Sequence, residues 1–500
     1  MTSKLQKIIL VLLADICFIG FLLFMFVNPW ADYNYPMQRP WNVYFVLSAD
    51  TSGHDSGTGL SIFLGFVLPS IIIYLVYFFL RWLYLLRTKK TLNEKILLPV
   101  SAFLLIFSVS FTFFTKHGPV YFQILKLVNA KPEVSKFYEE NFVDPASVVL
   151  SKSGKTNNLI YIFLESMESS FGDRSSGGVL DKNIIPEITS LAKENISFGT
   201  ESILGGNRNL EGCSWTAAGL LSKTLSVPYF LPFAVNQNGE ETCLSNTKSI
   251  YDFLAEQGYE NIFAMGSEKQ FENRSLILEN HNVQIHDITY YKQNGLIPQD
   301  YQVFWGFEDQ KLYELAKIEL NNLSAKNEPF SFSMLTVDSH FPNGYKCELC
   351  EDEHDTQIEN VIACADKQLS NFILWIKEQP FFSDTTIVIT GDHAYLDAPR
   401  NNFFLKASSL QKKEIEENRK VLDIFINSKV EISKLGKNRE FSSYDYMPTI
   451  LNAMGFDFNT KGIALGRSLF KEEPTLVELY GTKEVENQTM CRTVQYEALK

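Results

Sequence analysis

Long hydrophobic runs are missing from this 500-residue chain after Thr115, so any contact with a hydrocarbon core is confined to its first quarter. Basic surface is scarce as well. Lys and Arg number 45 against 58 Asp and Glu, a net charge of −13, and no basic patch interleaved with aromatics occurs. That balance excludes a nucleic-acid partner. No internal repeat and no low-complexity tract is present. Cys347 and Cys350 form a CxxC, yet no second CxxC completes a zinc ribbon and no thioredoxin-like surroundings accompany it.

What the first quarter holds is three apolar runs, at roughly 8–28, 59–80 and 96–115, each near the ~20 residues that cross a bilayer. The first follows Lys4 and Lys7 and is succeeded by "FVNPWADYNYP", with no small-residue cleavage site, so it reads as an uncleaved anchor. The stretch "RWLYLLRTKKTLNEK" carries Arg81, Arg87, Lys89, Lys90 and Lys95 against Glu94. The loop before it sets Arg39 against Asp32, Asp50 and Asp55. The positive-inside rule then places 81–95 in the cytoplasm and everything after about 116 outside. The cysteines agree. Cys17 lies in the first run, and Cys213, Cys243, Cys347, Cys350, Cys364 and Cys491 lie in the soluble part. An even number in an oxidising compartment predicts disulfides, with the pairing open.

The chain therefore divides into a three-helix transmembrane region (1–115), a juxtamembrane connector (116–155), an extracytoplasmic domain (156–475) and a C-terminal extension (476–500). In the domain, "LIYIFLE", "NIFAMG", "FSFSMLTV", "TIVITG" and "VLDIFIN" read as strands, several of them continuously apolar as in strands buried on both faces of a parallel sheet. Helical stretches such as "NTKSIYDFLAEQGY" and "QKLYELAKIELNNL" fall between them. The alternation predicts an α/β fold, with a mostly parallel central sheet covered by helices on both faces.

Ligands in such sheets bind beyond the carboxyl ends of the strands. Glu165 follows the first strand, Asp392 and His393 follow "TIVITG", Asp338 and His340 follow "FSFSMLTV", and Arg274 closes "GSEKQFENR". Glu165, Asp392 and His393 make an oxygen-rich site suited to Mn, Zn or Mg. "LEGCSWTAAG" (210–219) supplies a hydroxyl for an open position. Thr216, with Ala217, Ala218 and Gly219 behind it, is either a helix cap or a metal-activated nucleophile, and Ser214 competes with it. His340 is placed to give a proton to a leaving oxygen, and Arg274 to clamp phosphate oxygens. Each has a plainer alternative: Glu165 as a cap of the following turn, "GDH" as an ordinary turn, Arg274 paired with Glu272 or Glu279 on a helix surface.

"NNLIYIFLESMESSFGD", "EGCSWTAAGLLSK", "FENR", "DSHFP" and "TGDHAYLD" stand in the order found in lipoteichoic acid synthases and membrane phosphoglycerol transferases. These belong to the sulfatase-like branch of the alkaline phosphatase superfamily. "FSSYDYMPTILNAMGF" and "GRSLF" resemble the end of the same domain, so the resemblance covers roughly 140–475. It implies that Glu165, Thr216, Asp392 and His393 hold one divalent ion, usually manganese. It also implies that Thr216 is the nucleophile and that Arg274 and His340 contact the substrate head group. The implied reaction moves phosphoglycerol from phosphatidylglycerol to a glycan hydroxyl through a covalent threonine intermediate, releasing diacylglycerol. A phosphoethanolamine transferase acting on lipopolysaccharide or another surface glycan is the alternative, and a phosphodiesterase or sulfatase a more distant one. "CSWTA" lacks the Pro and Arg of the sulfatase "C/S-x-P-x-R" nucleophile. The expected setting is a bacterial inner membrane with the domain in the periplasm or at the cell exterior, as a monomer. The chain departs from the synthases at Glu272, where they carry an aromatic residue, and in having three crossings rather than five.

Overall fold

The computed structural model describes residues 3–34, 63–89, 94–112, 131–152, 154–229, 244–271, 274–397 and 402–499. Cys243, Glu272, Lys90 and the connector as far as residue 130 lie outside the described residues. The chain forms two compact units, 1–129 with 398–401, and 130–397 with 402–500.

In the first unit, the helix Ser3–Asn34 packs along Leu68–Thr88 and Glu94–Thr112. Two of the three expected crossings are long and apolar enough to span a membrane, Leu5–Phe26 and Phe63–Thr88. Among the described residues the third apolar stretch, Ile96–Phe111, is shorter than the ~20 residues a crossing takes, so length supports two of the three expected crossings. The described part of this helix, Glu94–Thr112, opens with charged Glu94 and Lys95, and residues 113–115 of the apolar run lie outside the described residues.

The second unit is built on a seven-stranded sheet. Its strands, in chain order after the short β1 (Leu150–Lys152), are β2 (Asn158–Leu164), β3 (Gly206–Asn207), β4 (Glu260–Met265), β5 (Gln284–His286), β6 (Phe330–Leu335), β7 (Thr385–Gly391) and β8 (Val421–Ile426). β9 (Phe456–Phe458) pairs with β1 in a separate ribbon. The spatial order is β3-β8-β7-β2-β6-β4-β5. β7, β2, β6, β4 and β5 run parallel, while β8 is antiparallel to β7, and β3 to β8. All five strands expected from apolar runs are present, and the sheet is mostly parallel, as expected.

Side chains alternate between two covered faces, which is why the runs are continuously apolar. Ile160, Ile162, Phe332, Met334, Ile387 and Ile389 join one core with the helices Pro186–Glu194, Asp309–Ala325 and Gln357–Lys377. On the other face Tyr251, from the helix Ile250–Glu256, bonds Ser333 Oγ at 2.9 Å. Phe425 there stacks 6.3 Å from Tyr446, which opens the helix Tyr446–Ala453. The stretch after 475 falls in this same unit. Arg439, 2% exposed, makes a bidentate pair with Glu478 at 2.6 and 2.8 Å, and Tyr496 donates to the Pro228 carbonyl at 2.9 Å.

Candidate active site

β2 and β7 are neighbours in register, with Leu164 opposite Gly391. The next residue on each chain is a carboxylate, so the pairing brings Glu165 and Asp392 side by side. The Asp392 N–H donates to the Leu164 carbonyl at 3.1 Å, one rung past the sheet. Glu165, Asp392 and His393 are all buried, and one ligand atom from each lies within 4.8 Å of the others. Gly391 is required at the turn, since a Cβ there would lie 2.0 Å from the Met167 carbonyl oxygen.

Thr216 is the first residue of the helix Thr216–Leu225 and is 8% exposed. The cap position belongs to Trp215, in extended conformation and with no side-chain cap bond, so Thr216 is not the cap. Its Oγ1 lies 3.3 Å from Glu165 Oε2, to which it donates, and 3.4 Å from His393 Nε2. Ser214 Oγ is buried without a hydrogen-bond partner, which leaves Thr216 as the hydroxyl that meets both groups. The run of small residues has a cause. A Cβ on Gly219 would lie 2.1 Å from the Asp392 carbonyl oxygen, so only glycine lets this helix approach the carboxylate loop so closely.

The charges are arranged around an opening. His393 Nδ1 lies 2.9 Å from the Ala394 carbonyl, which only accepts, so Nδ1 carries the proton and the Nε2 lone pair faces Thr216. Asp392 Oδ1 accepts from the Ser166 and His393 N–H groups, each at 2.7 Å. Asp392 Oδ2 is buried with no hydrogen-bond partner. Burial first, and then the Glu165 charge, push the Asp392 carboxyl above the ordinary carboxylate range. A buried, unpartnered carboxylate oxygen costs several kcal/mol unless a cation meets it. The donor set of two carboxylates, one imidazole nitrogen and one hydroxyl suits a hard or borderline divalent ion. The residues therefore fit such an ion.

Several supporting groups escaped the sequence reading. Ser166 sits at φ 53° and donates its hydroxyl to Glu165 Oε1 at 2.6 Å. Ser339 Oγ holds the Glu165 carbonyl at 2.5 Å, and Thr336 Oγ1 accepts the Glu165 N–H at 2.9 Å. Fully buried Lys223, two turns after Thr216, donates to the Asp392 carbonyl at 2.7 Å and to Ser443 Oγ at 3.3 Å. Its spacing of seven from Thr216 was the available signal. Glu168 accepts the Tyr395 N–H at 2.8 Å and pairs with Arg419, bracing the loop after His393.

His340 and Arg274 stand beside this group. His340 feels the charges of His393, Asp392 and Arg274, and burial pushes its pKa down to about 4. Its Nδ1 donates to the Phe341 carbonyl at 2.8 Å, and its ring lies 5.0 Å from Trp305. Arg274, 3% exposed, donates to the Phe271 and Glu268 carbonyls at 2.9 and 3.2 Å, with its guanidinium 5.3 Å from the Phe271 ring. Of the two carboxylates offered as its plainer partners, Glu279 pairs with Lys269 at 2.5 Å and Glu272 lies outside the described residues. Asp338 is buried but stands outside the compact Glu165–Asp392–His393 group.

Comparison with known proteins identifies the family and the fold. Phosphoglycerol transferase I of Salmonella arizonae is 26% identical over 329 residues, 61% of this chain and 41% of that protein. The same enzyme of Salmonella typhimurium matches equally. The chain thus spans about two fifths of the length of these curated relatives. Among solved structures, the integral membrane lipooligosaccharide phosphoethanolamine transferase A of Neisseria meningitidis aligns with a TM-score of 0.51 at 14% identity. That alignment covers 96% of this chain and 87% of that one, and is a likeness of fold. The lipoteichoic acid synthase LtaP of Listeria monocytogenes aligns at 0.48 and 19% identity, over 68% of this chain and 81% of that one. A model of the Sulfatase family matches residues 157–456, which take in Glu165, Thr216, Arg274, His340, Asp392 and His393, and the chain belongs to that family.

Proposed function

We propose that this protein is a membrane-anchored transferase that moves a phosphoglycerol head group from phosphatidylglycerol to a glycan hydroxyl, with Thr216 as nucleophile. The observation that carries the reading is the meeting of Thr216 Oγ1 with Glu165 and His393 next to the unpartnered Asp392 Oδ2. The head-group chemistry draws on the similarity to phosphoglycerol transferase I. Glu165, Thr216, Asp392 and His393 would hold one divalent ion, with manganese the expected occupant. Such an ion, when bound, lowers the pKa of the hydroxyl and offsets charge on the non-bridging phosphate oxygens.

The chain's own residues account for the remaining steps. Glu165 Oε2 accepts the Thr216 hydroxyl hydrogen and orients Oγ1. Oγ1 gives up its proton and attacks phosphorus, the bond to the diacylglycerol oxygen breaks, and that oxygen leaves and takes up one proton in exchange, so the step is proton-neutral. The acceptor hydroxyl then attacks the same phosphorus and restores the Thr216 hydroxyl. His340, neutral at pH 7 with Nδ1–H committed to the Phe341 carbonyl, presents a bare, weakly basic Nε2. In that state it accepts a hydrogen bond from a substrate hydroxyl; giving a proton to the leaving oxygen, the role read from the sequence, requires its protonated form. Arg274 adds positive charge, its guanidinium over the Phe271 ring, which packs in turn against Trp305. Glu168 and Lys223 are positioning residues, holding the loop and the helix in place.

A lipid donor requires the site to face a membrane, and the apolar helices of the first unit support an anchor. The basic stretch 81–95 supports an inner-membrane protein with its catalytic domain outside the cytoplasm. A phosphatase reporter fused after residue 120 is then active and one near Lys90 silent; the reverse overturns the orientation. The function is tested by mass spectrometry of the Thr216 peptide, after incubation with manganese and mixed phosphatidylglycerol and phosphatidylethanolamine without acceptor. A phosphoglycerol adduct supports the proposal, and a phosphoethanolamine adduct replaces the head group. Neither adduct nor diacylglycerol refutes it.

A further inference from the structure

Cys347, Cys350 and Cys364 form a second cluster of reactive side chains, apart from the Thr216 group. All three are buried. Cys350 is bonded to Cys364, a pairing that passes over Cys347, three residues away. Yet Cys347 Sγ lies 3.5 Å from Cys350 Sγ and 4.0 Å from Cys364 Sγ. These distances set Cys347 Sγ side-on to the 350–364 bond rather than in line with it, so exchange requires the loop to swing Cys347 behind the sulfur it attacks.

Gln368 lies one turn beyond Cys364 on the helix Gln357–Lys377. Its side-chain nitrogen is 3.7 Å from Cys347 Sγ and 3.4 Å from Cys364 Sγ. Cys347 is the free thiol in the observed pairing. Cys364 is the one released if the CxxC closes on itself. One amide, with two N–H groups, thus faces the sulfur that is free in either state, while burial pushes the Cys347 thiol up, so its thiolate forms only at alkaline pH.

We propose that this cluster is a thiol–disulfide exchange site that switches the tether between the loop after His340 and the helix Gln357–Lys377. The Cys347 thiolate attacks Cys350 Sγ, the 347–350 bond forms and the 350–364 bond breaks. The electron pair leaves on Cys364 Sγ, which takes up the proton that Cys347 gave up. Nothing is oxidised or reduced overall, so no external redox partner is needed. In the first pairing the loop is tied to the helix. In the second it is closed on itself and untied.

The loop reaches the candidate active site. The Gly344 N–H donates to the His340 carbonyl at 3.0 Å, and the Tyr345 N–H to the Asp338 carbonyl at 2.6 Å. The Tyr345 ring packs against the sulfur cluster and stacks 5.8 Å from Phe304, itself 6.5 Å from His340. Regulation of catalysis through this path rests on the function proposed above; the exchange itself does not.

The test uses the full chain in detergent, held for hours at mildly alkaline pH, where uncatalysed rearrangement completes. Acid quenching, alkylation and peptide mapping then report which cysteine is free. Two populations are expected, one alkylated at Cys347 with 350–364 linked, the other alkylated at Cys364 with 347–350 linked. Cys347→Ser keeps the first linkage alone and Cys364→Ser the second alone. In Cys364→Ser the Gly344 and Tyr345 amides exchange hydrogen about tenfold faster than in Cys347→Ser. Wild-type protein alkylated at Cys347 and never at Cys364 overturns the exchange, whether or not the variants fold. Equal amide exchange in the two variants overturns the tether.

Discussion

Gly219→Ala tests the geometry of the site without touching any reacting group. The added Cβ starts 2.1 Å from the Asp392 carbonyl oxygen and 2.8 Å from its carbon. Ordinary contact begins at 3.4 Å, so the helix Thr216–Leu225 and the Asp392 loop must part by about 1.3 Å. Both neighbours are backbone, so no side chain can swing away to absorb the shift. Thr216 sits one turn earlier on the same helix, where its hydroxyl is already 3.3 Å from Glu165 and 3.4 Å from His393. Such overpacking costs about 1–3 kcal/mol of stability, a tolerable loss for a large domain. A 1 Å misplacement of a reacting atom costs on the order of 100-fold in rate. The expected variant therefore folds, melts a few degrees lower and releases diacylglycerol about 100-fold more slowly, with KM for lipid little changed. The assay pairs thermal unfolding with initial rates in mixed micelles. Wild-type kcat in a folded Gly219→Ala protein would refute the claim that this glycine sets the Thr216–Asp392 approach.

The other expectations are simpler. Thr216→Ala removes the nucleophile and lowers diacylglycerol release by roughly 10⁴-fold or more, with unfolding almost unchanged; a folded, active variant contradicts the assignment. Chelation abolishes activity and added manganese restores it, and elemental analysis of Asp392→Asn finds less bound metal than in wild type; equal content argues against the site. Glu478 is partly buried, which works against its charge, but its Arg439 partner holds its pKa below the ordinary carboxylate value of 4.5. Its contribution is thus present above pH 4.5 and lost as pH falls through the lower folded value. Glu478→Gln leaves buried Arg439 without its charge partner and lowers the melting temperature at pH 7, with the gap to wild type closing in acid. A gap that stays constant down to pH 3 contradicts the ion-pair account. Lys223→Met strips the Asp392 carbonyl of its 2.7 Å donor and costs about 1–3 kcal/mol in thermal unfolding.

Sequence by itself determined the strands and the residues that follow them. β2, β4, β6, β7 and β8 are runs buried on both faces, a pattern that survives in one dimension because burial demands apolar side chains whatever the neighbour. Glu165, Asp392 and His393 stood out because a charged residue directly after such a run has nowhere to go but the carboxyl edge of the sheet. Other features belong to the tertiary structure alone. The adjacency of β2 and β7, 227 residues apart at Glu165 and Asp392, comes from strand pairing, as does the reversal of β8. Lys223 looks like any basic residue near a helix end until the Asp392 carbonyl is seen beneath it. Arg419 clamps Glu168 from 251 positions away. The meeting of Cys364 with the CxxC is likewise tertiary, because packing of the helix Gln357–Lys377 brings its sulfur to Cys347 and Cys350. Periodicity and burial are local demands that each residue records, whereas pairing across the fold is a property of two segments together, which neither one encodes.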